Sequence, residues 1–270
     1  MQQNMADSTV PASPAAASFV EAAKIEFLLR LADTSLVLSQ RLSELCGKGP
    51  ALEEDMALTN VALDLIGQSR FWLSYAGELE GAGRDEDKLA YHRDAHQFRN
   101  LLLVEQPNGS YADTLARQFY FDCWHYLLLE KLVTSTDEHI AGVAEKSLKE
   151  VRYHVRRSGD LIVRLGDGTE HSHTMMQHAL DDLWMFTGEM FTMDAVETAM
   201  AAQGIGPDLT TLKAPWIAHV TEIFEEATLA MPPLDAWMQQ GGKQGKHTEH
   251  LGYLLAEMQF LQRAYPGAVW

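Results

Sequence analysis

The chain has 270 residues, 46% hydrophobic and 22% charged, enough for one large domain or two small ones with a sizeable core. That composition excludes a disordered tail protein and a collagen-like fibre. Its 38 acidic residues against 21 Lys and Arg give a formal net charge of −17, a body that repels nucleic-acid backbones and anionic membranes.

Only two cysteines occur, Cys46 and Cys123, with no CxxC. They argue against a disulfide framework or thiolate zinc site and fit a reducing cytosol, so a cytoplasmic location is expected. No run of about eighteen apolar residues is present to span a membrane. Residues 1–18, rich in Ala, Ser and Pro, lack a basic n-region and an apolar h-region. They read as a disordered arm and not as a signal peptide. Residues 19–270 read as one helical domain.

The dominant period is helical. The first helix is expected over Phe19–Leu45, with Leu28, Leu31, Leu38, Leu42 and Leu45 on its seam and Ser35 in the gap. The second is expected over Glu53–Leu79, with seam Leu58, Val61, Leu65, Gln68, Trp72, Tyr75 and Leu79, ended by Gly81 and Gly83. A shorter helix is expected over Asp87–Glu105. Pro107-Asn108-Gly109 is a turn, and Ser110 with Asp113 resembles a capping box.

A fourth helix carries Leu115, Phe119, Asp122, Tyr126, Leu129 and Val133 on its seam. Thr136 is placed to cap a fifth, with seam Ile140, Ala144, Ser147, Val151, His154, Ser158, Leu161 and Leu165. Shorter helices follow at about Ser172–Gly188, Met193–Gln203, Asp208–Ala230 and Thr248–Ala264. There is no strand pattern and no internal repeat. Long helices with short connections predict an all-α fold, an antiparallel four-helix bundle with additional peripheral and C-terminal helices.

Polar residues in such seams raise the possibility of a carboxylate-bridged di-iron centre. That centre needs one Glu on each of two helices and a Glu-x-x-His pair on each of the other two, because i, i+3 spacing turns both ligands inward. Here the set is incomplete. The first helix offers no inward carboxylate by this pattern. The second has Leu65-x-x-Gln68, with Asp64 on the flank, and the fifth has Val151-x-x-His154, with Glu150 one position off. The fourth offers Asp122 and His125.

Leu and Val cannot bind metal, so Asp122, His154, His125 and Gln68 read as vestigial positions. They are expected to be hydrogen-bonded polar core residues. A single bound metal and a working two-iron site are the alternatives. No catalytic residue, metal or cofactor is assigned to the chain.

Other histidines read as structural: His92 and His96 at i, i+4; His171, His173 and His178 after a Gly-rich turn; and His247-Thr-Glu-His250, where Thr248 is a candidate N-cap. On the fifth helix Lys149, Arg152 and Arg156 form a basic stripe against the acidic background. It is either a solvated face or a docking surface for an acidic partner. No GxSxG, Walker loop, HExxH or GxGxxG after a strand occurs.

Several runs carry a resemblance. Leu36-Val-Leu-Ser-Gln-Arg-Leu42, Ala62-Leu-Asp-Leu-Ile-Gly-Gln68 and Asn100-Leu-Leu-Leu-Val-Glu-Gln-Pro-Asn-Gly109 are three of them. Lys149-Glu-Val-Arg-Tyr-His154, His247-Thr-Glu-His-Leu-Gly252 and Leu255-Ala-Glu-Met-Gln259 are the others. Together they resemble the non-catalytic C subunits of bacterial ring-1,2-phenylacetyl-CoA epoxidases, over about Leu28 to Trp270. The resemblance implies a ferritin-like fold and a place in aerobic phenylacetate breakdown. It implies pairing with a homologous catalytic A subunit that holds the di-iron site, and contact with other subunits. A two-fold homodimer is expected when the chain is alone. A self-sufficient di-iron oxygenase and a ferritin-type iron protein are the alternatives.

Overall fold

The computed structural model describes residues 14–268. They are helical and contain no strand. Four long helices make a ferritin-like bundle from two antiparallel hairpins. The first pairs α1 (Pro14–Ser43) with α2 (Leu52–Glu80); the second pairs α4 (Tyr111–Leu132) with α5 (Glu138–Gly166). The short α3 (Glu86–Tyr91) lies against α2. On the other side α6 (Glu170–Trp184) packs on α4 and α5, α7 (Ala195–Ala202) on α1, and α8 (Lys213–Glu226) on α4 and α5. The chain closes with α9 (Glu249–Met258) and α10 (Phe260–Ala264). No helix of the described residues is long and apolar enough to cross a membrane.

The expected seams build the bundle. Leu58, Val61, Leu65, Gln68 and Trp72 of α2 and Leu115, Phe119, Asp122 and Leu129 of α4 are all buried. The capping box at α4 forms as expected: Ser110 N–H donates to Asp113 Oδ2 at 2.6 Å and Asp113 N–H to Ser110 Oγ at 3.4 Å. Gly81 ends α2 with a left-handed φ of 64°, where a side chain would be strained.

Several expectations need correction. The first helix begins at Pro14, inside the expected arm, whose residues 1–13 lie outside the described residues. The cap of α5 is Asp137, one residue after Thr136; its carboxylate accepts from the His139 and Ile140 amides. The expected helix Asp87–Glu105 breaks after Tyr91. Beyond it are only short 3-10 turns, at Ala95–Gln97 and Leu102–Glu105. Asp94 and Gln97 form their own capping box. Leu101 to Val104 are four consecutive buried apolar residues, which one helix face cannot provide. His92 therefore caps α3 and does not share a helical face with His96.

The other departure is α1. Besides its leucine seam it buries Arg30, Asp33 and Arg41. Asp33 is a buried carboxylate on the side of α1 closed by the covering segments, not on the bundle seam. It pairs with Arg93, whose Nη1 donates at 3.0 Å, and accepts the Arg99 amide at 2.8 Å. Arg30 meets Asp194 and Glu197. Arg41 donates to the Glu105 carbonyl and to the His250 carbonyl. Thus α1 is a hub, apolar toward the bundle and polar toward the irregular segments that cover it.

Three buried carboxylates fasten that covering layer. Glu189 accepts from the amides of Leu102, Gly241 and Lys243 at 3.0, 2.9 and 3.3 Å. Glu105 accepts from the Thr248 amide at 2.6 Å, from Asn100 at 3.0 Å and contacts His247 Nδ1 at 2.9 Å. Glu197 receives Lys243 Nζ at 2.8 Å. Together they tie residues 241–248 to the core as a strap. His247 is structural, as expected. Thr248 stands at the N-cap of α9, but its side chain makes no capping bond.

Candidate functional site at the bundle centre

Polar residues from α2, α4 and α5 meet where a di-iron centre would lie. From α4, Asp122 is fully buried, and Gln118 Nε2 donates to its Oδ1 at 2.6 Å. Burial pushes the Asp122 carboxyl up to about 6, against the opposing pull of His154 close by. His125 is also buried, its ring centre 4.8 Å from that of Phe121. Burial, with His154 nearby, pushes its imidazole down to about 3.

Two rungs join α2 to α5. His154 Nε2 lies 3.0 Å from Asp64 Oδ2, and Gln68 Nε2 donates to Glu150 Oε2 at 2.9 Å. Both rungs use i, i+4 pairs, so they stack one turn apart. Farther along α5, Arg157 pairs with Glu54, which also accepts the Tyr111 hydroxyl at 2.8 Å. Burial and that carboxylate hold the Tyr111 phenol well above its ordinary range.

The expected vestigial positions therefore lie in one region of the bundle. Asp122 is held by Gln118, and not by His125, His154 or Gln68. His154 is held by Asp64, which the seam reading had set on the flank. Gln118 was missed, and Asp64 was noted only as a flanking residue. Their signal was present: Gln118 is four before Asp122, and Asp64 four before Gln68.

This constellation does not fit two irons. Leu65 and Val151 are fully buried and apolar at the two positions where Glu-x-x-His requires carboxylates. Asp64 and Glu150 are tied to their own partners. Among the described residues no three His, Cys, Asp or Glu side chains converge to hold a metal ion.

The basic stripe lies elsewhere. Lys149, Arg152 and Arg156 are exposed on the outer side of α5. Lys149 stands 3.7 Å from Glu145, and Arg156 is 6.0 Å from the centre of the Tyr153 ring. Arg152 and Arg156 edge a groove of about 320 Å³ floored by Val155, Gly159 and Ile223, against α8.

The sequence model of a family described as "Phenylacetic acid catabolic protein" matches residues 4–270, reaching farther toward the N-terminus than the resemblance at Leu28. An Escherichia coli K12 protein, named as the C subunit of 1,2-phenylacetyl-CoA epoxidase, is 53% identical over 244 residues, covering 90% of this chain and 98% of that protein. A family model matched over residues 4–270 and a relative 53% identical over 90% of the chain lead to one assignment: the chain belongs to the phenylacetic acid catabolic protein family.

Proposed function

We propose that the chain is the structural, non-catalytic subunit of a phenylacetyl-CoA ring 1,2-epoxidase, pairing with and stabilising the catalytic di-iron subunit of that complex in aerobic phenylacetate breakdown. Family membership and the likeness to a protein named as a component of such an epoxidase support a place in the complex. The observation that carries the non-catalytic role is the pair Leu65 and Val151, buried where metal-binding carboxylates would stand.

In this role the chain holds no metal or cofactor and works in the cytoplasm. It meets protein partners and not nucleic acid or membrane. Alone, it pairs with a second copy by a two-fold axis. Lys149, Arg152 and Arg156 serve as a polar contact at or beside the surface that meets the catalytic subunit.

The test is metal content and turnover. The purified chain, incubated with ferrous iron in air and desalted, should retain no stoichiometric iron. With only a reductase and NADPH it should not oxidise phenylacetyl-CoA. About two irons per chain, or turnover, would return the self-sufficient oxygenase; many irons per assembled particle would return the ferritin-type alternative. Co-expression with the catalytic subunit should give one co-eluting complex in size-exclusion chromatography.

A further inference from the structure

His247 stands near the end of the strap, its side chain only 5% exposed. Its two ring nitrogens meet different oxygens. Nδ1 lies 2.9 Å from Glu105 Oε2, and Nε2 lies 3.0 Å from the Phe98 carbonyl oxygen. A carbonyl oxygen can only accept, so Nε2 carries a proton. Glu105 Oε2 already accepts from Asn100 Nδ2 at 3.0 Å, and Oε1 accepts the Thr248 amide at 2.6 Å. Those donors favour the ionised carboxylate, which also can only accept. Nδ1 therefore carries a proton as well.

Neither neutral tautomer fits this setting. With hydrogen on Nε2 alone, the Nδ1 lone pair faces a carboxylate oxygen at 2.9 Å. With hydrogen on Nδ1 alone, the Nε2 lone pair faces the Phe98 oxygen at 3.0 Å. Charge balance agrees. Glu105 is fully buried, and among the described residues no Lys or Arg pairs with its carboxylate. A buried carboxylate is costly without a counter-charge, and His247 is placed to supply it.

The other charged groups around the pair are engaged elsewhere or face water. Arg41 of α1 donates to the Glu105 and His250 carbonyls. Arg99 Nη1 donates to the same Phe98 carbonyl at 2.9 Å and is the one opposing charge at that oxygen; its Nε is paired with Glu26 at 2.6 Å. Glu189 is taken up by backbone amides, and Lys243 by Glu197. Lys246 and Glu249 are exposed, and His250 is half-buried at the start of α9.

We propose that an imidazolium locks the strap: closing residues 241–248 over α1 fixes on His247 a proton that the open strap gives up to water. A solvated imidazole is mostly neutral above about pH 7. The closed strap then binds more protons than the open one, so closure weakens as the pH rises. The lock is a base-released latch over one flank of α1.

The experiment is nitrogen NMR on the full chain with 15N-labelled histidine. His247 is picked out of the 11 histidines by the signals missing from His247→Gln. At about pH 7.5 both of its nitrogens should show attached hydrogens. In Glu105→Gln the carboxamide can donate to Nδ1, so His247 should become the neutral Nε2–H tautomer. A lone-pair signal at either nitrogen of the wild type would overturn the proposal, and so would two protonated nitrogens in folded Glu105→Gln. Hydrogen exchange reads the latch itself. One bound proton changes an equilibrium by up to about tenfold per pH unit, so protection of the Thr248 amide, corrected for intrinsic exchange, should fall at least about fivefold from about pH 7 to about pH 9. Protection that stays flat, or that falls equally in Glu105→Gln, would overturn the latch. Should Glu105→Gln fail to fold, the wild-type signals and the wild-type protection profile decide.

Discussion

His154 of α5 and Asp64 of α2 face one another at 3.0 Å, with the imidazole fully buried and the carboxylate about one-third exposed. The histidine that would bind a metal in a Glu-x-x-His pair is thus spent on a helix-to-helix contact. Its rung and the Gln68–Glu150 rung bind the two hairpins of the bundle to each other by hydrogen bonds.

Asp64→Ala should leave His154 Nε2 buried without a partner. An unsatisfied buried polar group costs about 1–3 kcal/mol, so urea unfolding should show a loss of that size. A double-mutant cycle with His154→Phe should give a coupling above about 0.5 kcal/mol. Additive losses would mean that the contact contributes nothing as a pair.

Asp122 predicts a specific pH dependence. Its folded-state value of about 6 lies above the ordinary 3.8, so the folded protein holds this proton more tightly than the unfolded chain does. The stabilising contribution is complete below about 3.8 and is lost as the pH rises through about 6. Asp122→Asn keeps an acceptor for Gln118 and removes the titration. Relative to wild type it should gain up to about 3 kcal/mol at pH 7.5 and little at pH 4. Asp122→Ala removes the acceptor and should lower the melting temperature. Equal wild-type-to-Asn differences at the two pH values would show that Asp122 does not titrate in this window.

Glu189→Gln tests the strap. The carboxylate accepts three backbone amides, and hydrogen bonds to a charged acceptor contribute about 1.5–3 kcal/mol each. A neutral amide retains one acceptor oxygen, so the expected loss is about 2–4 kcal/mol. Hydrogen exchange at Gly241 and Leu102 should accelerate together. Unchanged protection at Gly241 would detach Glu189 from the strap.

Arg152→Glu with Arg156→Glu should weaken capture of the catalytic subunit, more at about 20 mM salt than at about 300 mM, because exposed charges are screened as salt rises. An affinity that does not change with salt in either protein would remove the stripe from the interface.

How far the sequence alone reaches depends on periodicity. In α2 and α5 one stripe faces one core, so spacings of 3 and 4 locate the buried residues, His154 among them. The α4 helix is enclosed on all sides, Thr114 to His125 all being buried, so its seam finds Asp122 but not Gln118. Two situations defeat that reading. Leu101 to Val104 are all buried because irregular chain is enclosed on every side, and no helical or strand period survives there. On α1 the residues Arg30, Asp33 and Arg41 look like solvent-facing charges until the covering segments supply Asp194, Glu197, Arg93 and the Glu105 carbonyl. At the bundle centre, metal-ligand spacing points to the wrong partners. Gln118 and Asp64 answer instead to one-turn spacing within a helix.

The strap also sets an order of events during synthesis. Its contact between His247 and Glu105 spans 142 residues of sequence. At about 5–20 residues per second, the ribosome needs roughly 7–30 seconds to deliver the second half of that contact after the first. Until then Glu105 lacks the Thr248 amide and Glu189 those of Gly241 and Lys243, and one flank of α1 waits for its cover. A nascent chain stalled before residue 241 should therefore hold the bundle with that flank still accessible to protease, and release past residue 248 should close it.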